Sequence, residues 1–246
     1  MIYNFNEFIL EHSKYDPIPE LTWDKKGKTA IFVFGAPGTG KSTFIDKVIL
    51  QKLRSYKIFD PDKYIDALLK IGKERKVYSD EERIKKLDAT KIAINRLNNI
   101  YKIDFNLTDD EIYNIIDNNT YVEGVDKKIE KSIITYSKNS NSDFIYDTTG
   151  NDYDRIKNFS EISRDNGYKI IFIQVSSSVE SAVRSNVSRD RIVQLDYQLS
   201  SIEGGKNQKQ FLQLSPDAYY VYERDINSLF KYQGEDLRLE KENLIK

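Results

Sequence analysis

Cysteine is absent from the 246-residue chain, and histidine occurs once, as His12. Without cysteine the chain cannot form disulfide bonds, a thiolate zinc site or a thiol nucleophile. A single histidine argues against a histidine-based catalytic triad or metal site. These absences agree with a reducing cytoplasm, and they leave carboxylates, hydroxyls, lysine and arginine as the side chains that could carry chemistry.

The chain also lacks long apolar runs and an excess of charge of either sign. No stretch approaches the roughly 18 to 20 apolar residues of a membrane span, and the N-terminus lacks the basic start and apolar core of a signal peptide. The 38 lysines and arginines nearly balance 39 aspartates and glutamates, for a net charge of −1, so no global positive field attracts duplex nucleic acid. We expect a cytoplasmic protein without a membrane partner, in which a local basic groove is still allowed.

What is present is the phosphate-binding pattern G-x-x-x-x-G-K-[ST], over residues 35–42. It follows the apolar run 31–34 and precedes a helical run, 43–50, in the strand, loop and helix order that the pattern requires. Lys41 would reach the β- and γ-phosphates and the Ser42 hydroxyl would bind Mg²⁺; the alternative is a glycine-rich turn before a helix. The predicted nucleotide-binding residues are Gly35, Ala36, Pro37, Gly38, Thr39, Gly40, Lys41, Ser42 and Thr43.

Five apolar runs predict strands, and helical patterns separate them. The runs are residues 31–34, 55–59, 143–146, 168–175 and 218–222. This alternation predicts an α/β fold of the P-loop NTPase class, a parallel sheet of about five strands flanked by helices. Capping boxes at Ser79 and Thr108 predict a helical insertion, about 70–120, between the second and third strands. The predicted domains are a leader, 1–28, and one nucleotide-binding α/β domain, 29–246, which contains the insertion.

Two aspartates follow the second strand. Asp60 can cap the next helix, with Pro61 at its first position and Asp62 in its first turn. The start of a helix at the rim of the sheet is also where a carboxylate could face an acceptor hydroxyl as a general base. We favour Asp62 as the base because capping already accounts for Asp60.

Asp147 ends the third strand, and Thr148 and Thr149 follow it. A carboxylate at the tip of a strand beside the phosphate loop can hold a Mg²⁺-bound water. Mechanical ATPases have an Asp-Glu pair here to activate water. Thr148 takes the place of that glutamate, which favours transfer to a bound acceptor over hydrolysis. A turn-forming role for Asp147 before Gly150 is the alternative.

Three arginines follow the fourth strand within a predicted lid segment, about 178–192. Arg184 and Arg191 share one helical face if the helix continues through both, and two guanidiniums there could neutralise charge on a transferred phosphoryl group. Arg189 lies about 140° around the helix from Arg184, so it contributes only if the helix breaks or bends. A solvated basic helix is the alternative.

Together, the loop 35–42, the segment 60–64, the segment 147–149 and the segment 184–191 resemble the P-loop kinases that include zeta toxins and bacteriophage polynucleotide kinases. The resemblance covers about residues 30–70 and 140–200, and the loop is its most specific part. It implies ATP and Mg²⁺ as cofactors, and arginines of a lid that contact the phosphates. The roles it implies fall on Asp62 or Asp60 as base, on Asp147 with Thr149 as substrate or Mg²⁺ ligands, and on Arg184 with Arg189 or Arg191.

Departures from that family leave the acceptor open. Zeta toxins tend to have Glu-Gly-Thr where this chain has Asp147-Thr148-Thr149, which weakens a sugar-nucleotide substrate. The Asp-Thr pair and the Asp-x-Tyr at 62–64 are nearer to the polynucleotide kinases. An acidic helical insertion and the lack of an evident basic channel weaken a nucleic-acid substrate in turn.

Residues 1–11 also resemble the short amphipathic leaders of proteins packaged into the heads of large tailed bacteriophages. Phe5, Phe8 and Ile9 would share one helical face, which equally suits docking on the protein's own core. Segments 9–11 and 18–20 match the loose Ile/Leu-x-Glu pattern that prohead proteases cut. The resemblance implies a location in the host cytoplasm or in a virion.

The predicted function is ATP- and Mg²⁺-dependent transfer of the γ-phosphoryl group to a hydroxyl of a nucleotide, sugar nucleotide or nucleic-acid end. A regulatory GTPase is disfavoured because no Asn/Thr-Lys-x-Asp segment occurs. The alternative from another class is a phage structural or packaged protein that keeps a nucleotide-binding fold without kinase activity.

Overall fold

A seven-stranded sheet forms the centre of the part of the chain that the structure describes. The structure is a computed structural model, and it describes residues 27–50, 53, 56–72, 76–117, 122, 124–189, 192–234 and 236–241. The strands are β1 Lys28–Phe34, β2 Tyr56–Phe59, β3 Asp143–Thr148, β4 Tyr168–Ser176, β5 Ala218–Glu223, β6 Ser228–Gln233 and β7 Asp236–Lys241. Their order is β2-β3-β1-β4-β5-β6-β7.

The first five strands pair in parallel, as the sequence predicts, and the other two extend the sheet with antiparallel pairs. β1 lies between β3 and β4, and its residues 30–34 are completely buried. Burial on both faces is typical of a central parallel strand, since helices cover both sides of the sheet. The register pairs Phe34 with Thr148 of β3 and with Gln174 of β4. The carboxyl ends of β1, β3 and β4 therefore meet at one edge of the sheet.

Eight α-helices connect and cover the described strands. They are α1 Lys41–Phe44, α2 Pro61–Lys70, α3 Asp80–Asn99, α4 Asp109–Asp117, α5 Val125–Asn139, α6 Tyr153–Asp165, α7 Val179–Val187 and α8 Leu195–Gly204. A π-helical stretch, Ile45–Ile49, continues α1, and 3-10 helices span Gly205–Leu214 and Arg224–Ile226. The prediction of helices between the second and third strands is confirmed, with a complete capping box at Ser79 and Glu82.

The helical insertion packs on the elements that follow β4. Leu87, Ile94 and Leu97 of α3 are buried in one apolar cluster with Val183 of α7 and Leu199 of α8. Because α7 and α8 lie beside the phosphate loop, as shown below, the insertion stabilises one wall of the candidate site.

No helix of the described residues is long and apolar enough to cross a membrane. The amphipathic leader predicted from Phe5, Phe8 and Ile9 lies outside the described residues, which begin at residue 27. The division into a leader and one domain stays a prediction.

Candidate active site

The predicted phosphate loop lies between β1 and α1, and its backbone is tightly held. Gly38 and Gly40 have backbone φ angles of +87° and +97°, which residues other than glycine rarely adopt. A Cβ atom on Gly35 would lie 2.2 Å from the Val175 carbonyl oxygen of β4. Thr39 turns back on the loop, donating through Oγ1 to the Ala36 carbonyl oxygen at 2.9 Å. The loop is therefore a fixed feature of the fold.

Lys41 begins α1 and folds back across the mouth of the loop. Its Nζ donates to the carbonyl oxygens of Gly35 at 2.7 Å and Ala36 at 3.4 Å. The same ammonium lies 3.9 Å from Oδ1 of Asp147. Ser42 and Thr43 follow on exposed positions of the first turn. The ammonium and the first turn of the helix are thus placed for a bound polyphosphate.

Three carboxylates lie close together after the ends of β2 and β3, and one of them, that of Asp147, lies next to Lys41. Burial raises the pKa of Asp147 to about 7, and the nearby carboxylates of Asp60 and Asp62 add to that increase, whereas Lys41 opposes it. The structure therefore brings together four residues that the sequence nominates from three separate segments. A buried carboxylate with so high a pKa is a site that a cation would stabilise.

The raised pKa of Asp147 predicts how the stability of the metal-free protein depends on pH. The pKa of an aspartate in an unfolded chain is about 3.9, so between that value and about 7 the folded chain holds the extra proton. Asp147 should therefore contribute a decrease in the free energy of unfolding as pH rises through this window. Asp147→Asn should remove this contribution and make the slope against pH less negative than in the wild-type protein. The measurement is urea unfolding in EDTA across this pH window. Equal slopes of the free energy of unfolding against pH in the wild-type protein and Asp147→Asn would contradict the assignment. Asp88→Asn, on the exposed side of α3, is the control.

Asp60 and Asp62 take different places at the start of α2. Asp60 is the N-cap, and its Oδ1 accepts from the backbone N–H groups of Asp62 at 2.9 Å and Lys63 at 3.3 Å. Burial, followed by the charge of Asp62, raises the pKa of Asp60, against these hydrogen bonds. Asp62 is exposed in the first turn. The cap occupies Asp60, which supports the choice of Asp62 as the base; that role stays a prediction.

Magnesium would be held here by few protein ligands. Within the described residues no group of three or more His, Cys, Asp or Glu side chains forms a metal centre. Mg²⁺ commonly keeps several waters and binds one or two protein oxygens plus substrate phosphates. The buried carboxylate of Asp147 and the exposed hydroxyl of Ser42 are suitable protein ligands of this kind, so the residues present fit a Mg²⁺-nucleotide complex.

The residues after Asp147 contact α8. Thr149 Oγ1 lies 3.3 Å from the hydroxyl of Tyr197, and Asn151 Nδ2 donates to Ser201 Oγ at 2.8 Å. Thr148 forms a turn, with Oγ1 accepting from the Gly150 N–H at 3.4 Å. Tyr197 is 45% exposed. Thr149 and Tyr197 therefore form part of the surface beside the carboxylates, where an acceptor could bind.

The lid prediction needs a correction, because α7 ends at Val187. The Asn186 side chain binds both the N–H and the C=O of Val193, at 3.0 and 2.7 Å, and so turns the chain back. The prediction that Arg184 and Arg191 share one face required a helix that continues through both, and this condition is not met because α7 ends four residues before Arg191. Arg184 forms an ion pair with Glu180 at 2.8 Å instead. Arg189 follows the end of the helix, and Arg191 lies outside the described residues.

Arg224, after β5, is a site residue that the sequence did not indicate. Its Nη1 donates to the Gly38 carbonyl oxygen at 2.8 Å, and its Cδ would lie 3.0 Å from a Cβ on Gly40. Its neighbour Asp225 accepts from the N–H of Ser178, the cap of α7, at 2.6 Å. The contact with Gly38 spans 186 positions of the chain. No local pattern marks such an arginine.

Gly38→Ala should destabilise the protein and prevent tight nucleotide binding. An added Cβ would lie 2.1 Å from the backbone oxygen of Ala182, so the loop or α7 must move. Gly72→Ala is the matched control, because Gly72 has a similar φ of +82° but open space around its Cβ position. Thermal unfolding should show a clearly larger loss for Gly38→Ala, since both variants carry backbone strain and only one carries the clash. Equal losses would contradict this packing.

Comparison with known proteins gives structural matches alone, since the sequence matches no protein-family model and no curated protein sequence. A chain of the AvrRxo1-ORF1:AvrRxo1-ORF2 complex, solved with sulphate ions and with ATP, has a TM-score of 0.53 and 12% identity. The match covers 88% of this chain and 62% of that chain. The PezAT toxin-antitoxin system of Streptococcus pneumoniae gives a TM-score of 0.47 and 13% identity, over 90% of this chain and 78% of that chain.

The chain has a mixed α/β fold with a central sheet, similar to that of the AvrRxo1-ORF1:AvrRxo1-ORF2 structures. The parallel order of β1 to β5 and the loop between β1 and α1 agree with this assignment. The sequence prediction of the fold class is thereby confirmed. A bacteriophage origin stays a prediction.

Proposed function

We propose that this P-loop kinase-like protein is an ATP- and Mg²⁺-dependent phosphotransferase that moves the γ-phosphoryl group to a hydroxyl of a nucleotide, sugar nucleotide or nucleic-acid end. The observation that carries the proposal is the meeting of Lys41 and Asp147, 3.9 Å apart, beside the carboxylates of Asp60 and Asp62. A phosphate-binding loop alone would bind a nucleotide. Phosphoryl transfer also needs a base for the acceptor hydroxyl and an acidic ligand for Mg²⁺, and the carboxylates beside the loop could supply both.

Each residue of this group has a role in the proposed reaction. The loop 35–42 would hold the β- and γ-phosphates, with Lys41 on their oxygens. Asp147 and Ser42 would hold Mg²⁺, which supplies charge neutralisation for the phosphoryl group when it is bound. Asp62 would accept the proton of the acceptor hydroxyl. The similar AvrRxo1 complex, solved with ATP, supports ATP as the donor.

Arginines would add positive charge as the phosphoryl group moves. Arg184, Arg189 and Arg191 keep this role as predictions, and Arg184 would have to leave Glu180 to reach the phosphates. Such a movement would cost little, because exposed ion pairs of this kind contribute about 0.3 to 0.5 kcal/mol. Arg224 already contacts the loop, where its Nη1 donates to the Gly38 carbonyl oxygen, and could add positive charge from there.

Incubation with γ-labelled ATP and a panel of acceptors tests the proposal. The panel holds 5′-hydroxyl oligonucleotides, UDP-N-acetyl sugars and nucleosides, with water as the competing acceptor. Label on one hydroxyl class would support the proposal and name the substrate. Label found in inorganic phosphate alone would indicate hydrolysis, and no release of label would favour a nucleotide-binding protein without kinase activity.

A further inference from the structure

One buried side chain holds a peptide of the phosphate loop from outside. Gln198 of α8 is completely buried, and its Nε2 donates to the Pro37 carbonyl oxygen at 2.9 Å and to the Ala182 carbonyl oxygen at 2.8 Å. The first of these contacts spans 161 positions of the chain. Gln198 therefore joins α7 and α8 to the loop by hydrogen bonds.

The Pro37 contact determines where the next N–H group points. The described chain has no cis peptide bond, so the C=O of Pro37 and the N–H of Gly38 lie in one plane and point in opposite directions. α7 touches the loop from outside, where a Cβ on Gly38 would lie 2.1 Å from the Ala182 oxygen. A carbonyl that Gln198 holds toward α7 leaves the Gly38 N–H directed into the loop, toward the phosphate position.

Asn186 fixes the orientation of the Gln198 amide. Its Nδ2 donates to Gln198 Oε1 at 2.9 Å, so the Gln198 nitrogen, with its two hydrogens, faces the two carbonyl oxygens. Asn186 is itself completely buried and is held by both backbone groups of Val193. Only an amide of this length supplies two donors and one acceptor at position 198. A glutamate there would turn an acceptor oxygen toward the two carbonyl oxygens.

We propose that Gln198, oriented by Asn186, is a positioning residue for the nucleotide: it holds the Pro37–Gly38 peptide with its N–H facing the phosphates. The inference rests on the proposed nucleotide site, and it extends that site to two buried residues of α7 and α8. Because Asn186 also fixes Val193 after the arginine segment, the same amide pair connects that segment to the loop.

Gln198→Met removes both donors and keeps the length of the side chain. We expect the dissociation constants of Mg²⁺-ATP and of tripolyphosphate to rise together by roughly tenfold, since the Gly38 N–H is no longer held toward the phosphates. Asn186→Ala should raise both constants by about threefold, because it removes only the group that orients the amide. Isothermal titration measures both constants in the full chain.

Ser163→Ala is the matched control, since it breaks a buried hydrogen bond with Ser137 on the α5 and α6 side. Melting temperatures without ligand show whether each variant folds. The control should lose some stability and leave both dissociation constants unchanged. Constants within twofold of the wild-type values in Gln198→Met would overturn the inference; if that variant does not fold, the same result in Asn186→Ala would do so. Failure of the wild-type protein to bind ATP would instead contradict the proposed function.

Discussion

Asp62→Asn should lower the rate of phosphoryl transfer by about 10² or more and leave Mg²⁺-ATP binding nearly unchanged. General base catalysis typically contributes 10² to 10⁴ to a rate, and an amide cannot accept the proton of the acceptor hydroxyl. Asp62 is exposed at the start of α2, where its charge helps to raise the pKa of Asp147. Single-turnover transfer to the acceptor that the panel identifies measures the effect.

Two neighbouring aspartates serve as controls for the base. Asp66→Asn changes a carboxylate one turn further along α2 and should leave transfer close to the wild-type rate. Asp60→Asn keeps a good capping residue and should have a smaller effect than Asp62→Asn, because Oδ1 of Asp60 is already engaged by two backbone N–H groups. A large loss of transfer in Asp60→Asn with normal transfer in Asp62→Asn would reverse the assignment.

Lys41→Ala should abolish most of the stabilisation that Mg²⁺-ATP gives to the wild-type protein. A ligand at about 100 times its dissociation constant stabilises a fold by about 2.7 kcal/mol, which corresponds to roughly 5 to 10 °C for a chain of this size. Lys41 is the ammonium at the mouth of the loop, bound to the oxygens of Gly35 and Ala36. Removing a charged donor to a phosphate costs on the order of 1.5 to 3 kcal/mol.

Thermal unfolding with and without Mg²⁺-ATP measures this loss. Lys47→Ala is the matched control, because Lys47 is an exposed lysine on the same helical stretch, after the loop. The control should keep the full shift of the melting temperature. A full shift in Lys41→Ala would show that the nucleotide binds away from the loop.

The parts of the site that the sequence predicts correctly depend on local geometry. The phosphate loop needs glycines at the two positions with φ near +90°, and the chain has both, Gly40 at a fixed position of the pattern and Gly38 at a variable one. The cap at Asp60 follows from residues next to it in the chain. Apolar runs predict the parallel strands because a strand covered on both faces is apolar along most of its length, as residues 30–34 of β1 are. Parallel pairing then brings Asp60 and Asp147 to the same edge as Lys41.

The parts that the sequence does not reveal depend on contacts between distant segments. Arg224 and Gln198 bind the carbonyl oxygens of Gly38 and Pro37 from more than 150 positions away in the chain. A single glutamine or arginine in a sequence does not indicate such a contact. The end of α7 at Val187 follows from the buried amide of Asn186, where a continuous helical pattern favours a longer helix. The strands β6 and β7 have mixed polar and apolar residues, so the pattern of a buried strand does not mark them.

A crystal structure with Mg²⁺ and a non-hydrolysable ATP analogue tests the central claim most directly, because it shows where the γ-phosphate lies. The account predicts the β- and γ-phosphates inside the loop 35–42, with Lys41 Nζ on their oxygens and the metal between Ser42 and Asp147. It also predicts that the open side of the γ-phosphate faces Asp62. An analogue bound elsewhere, or a γ-phosphate turned away from Asp62 and Asp147, would contradict the account.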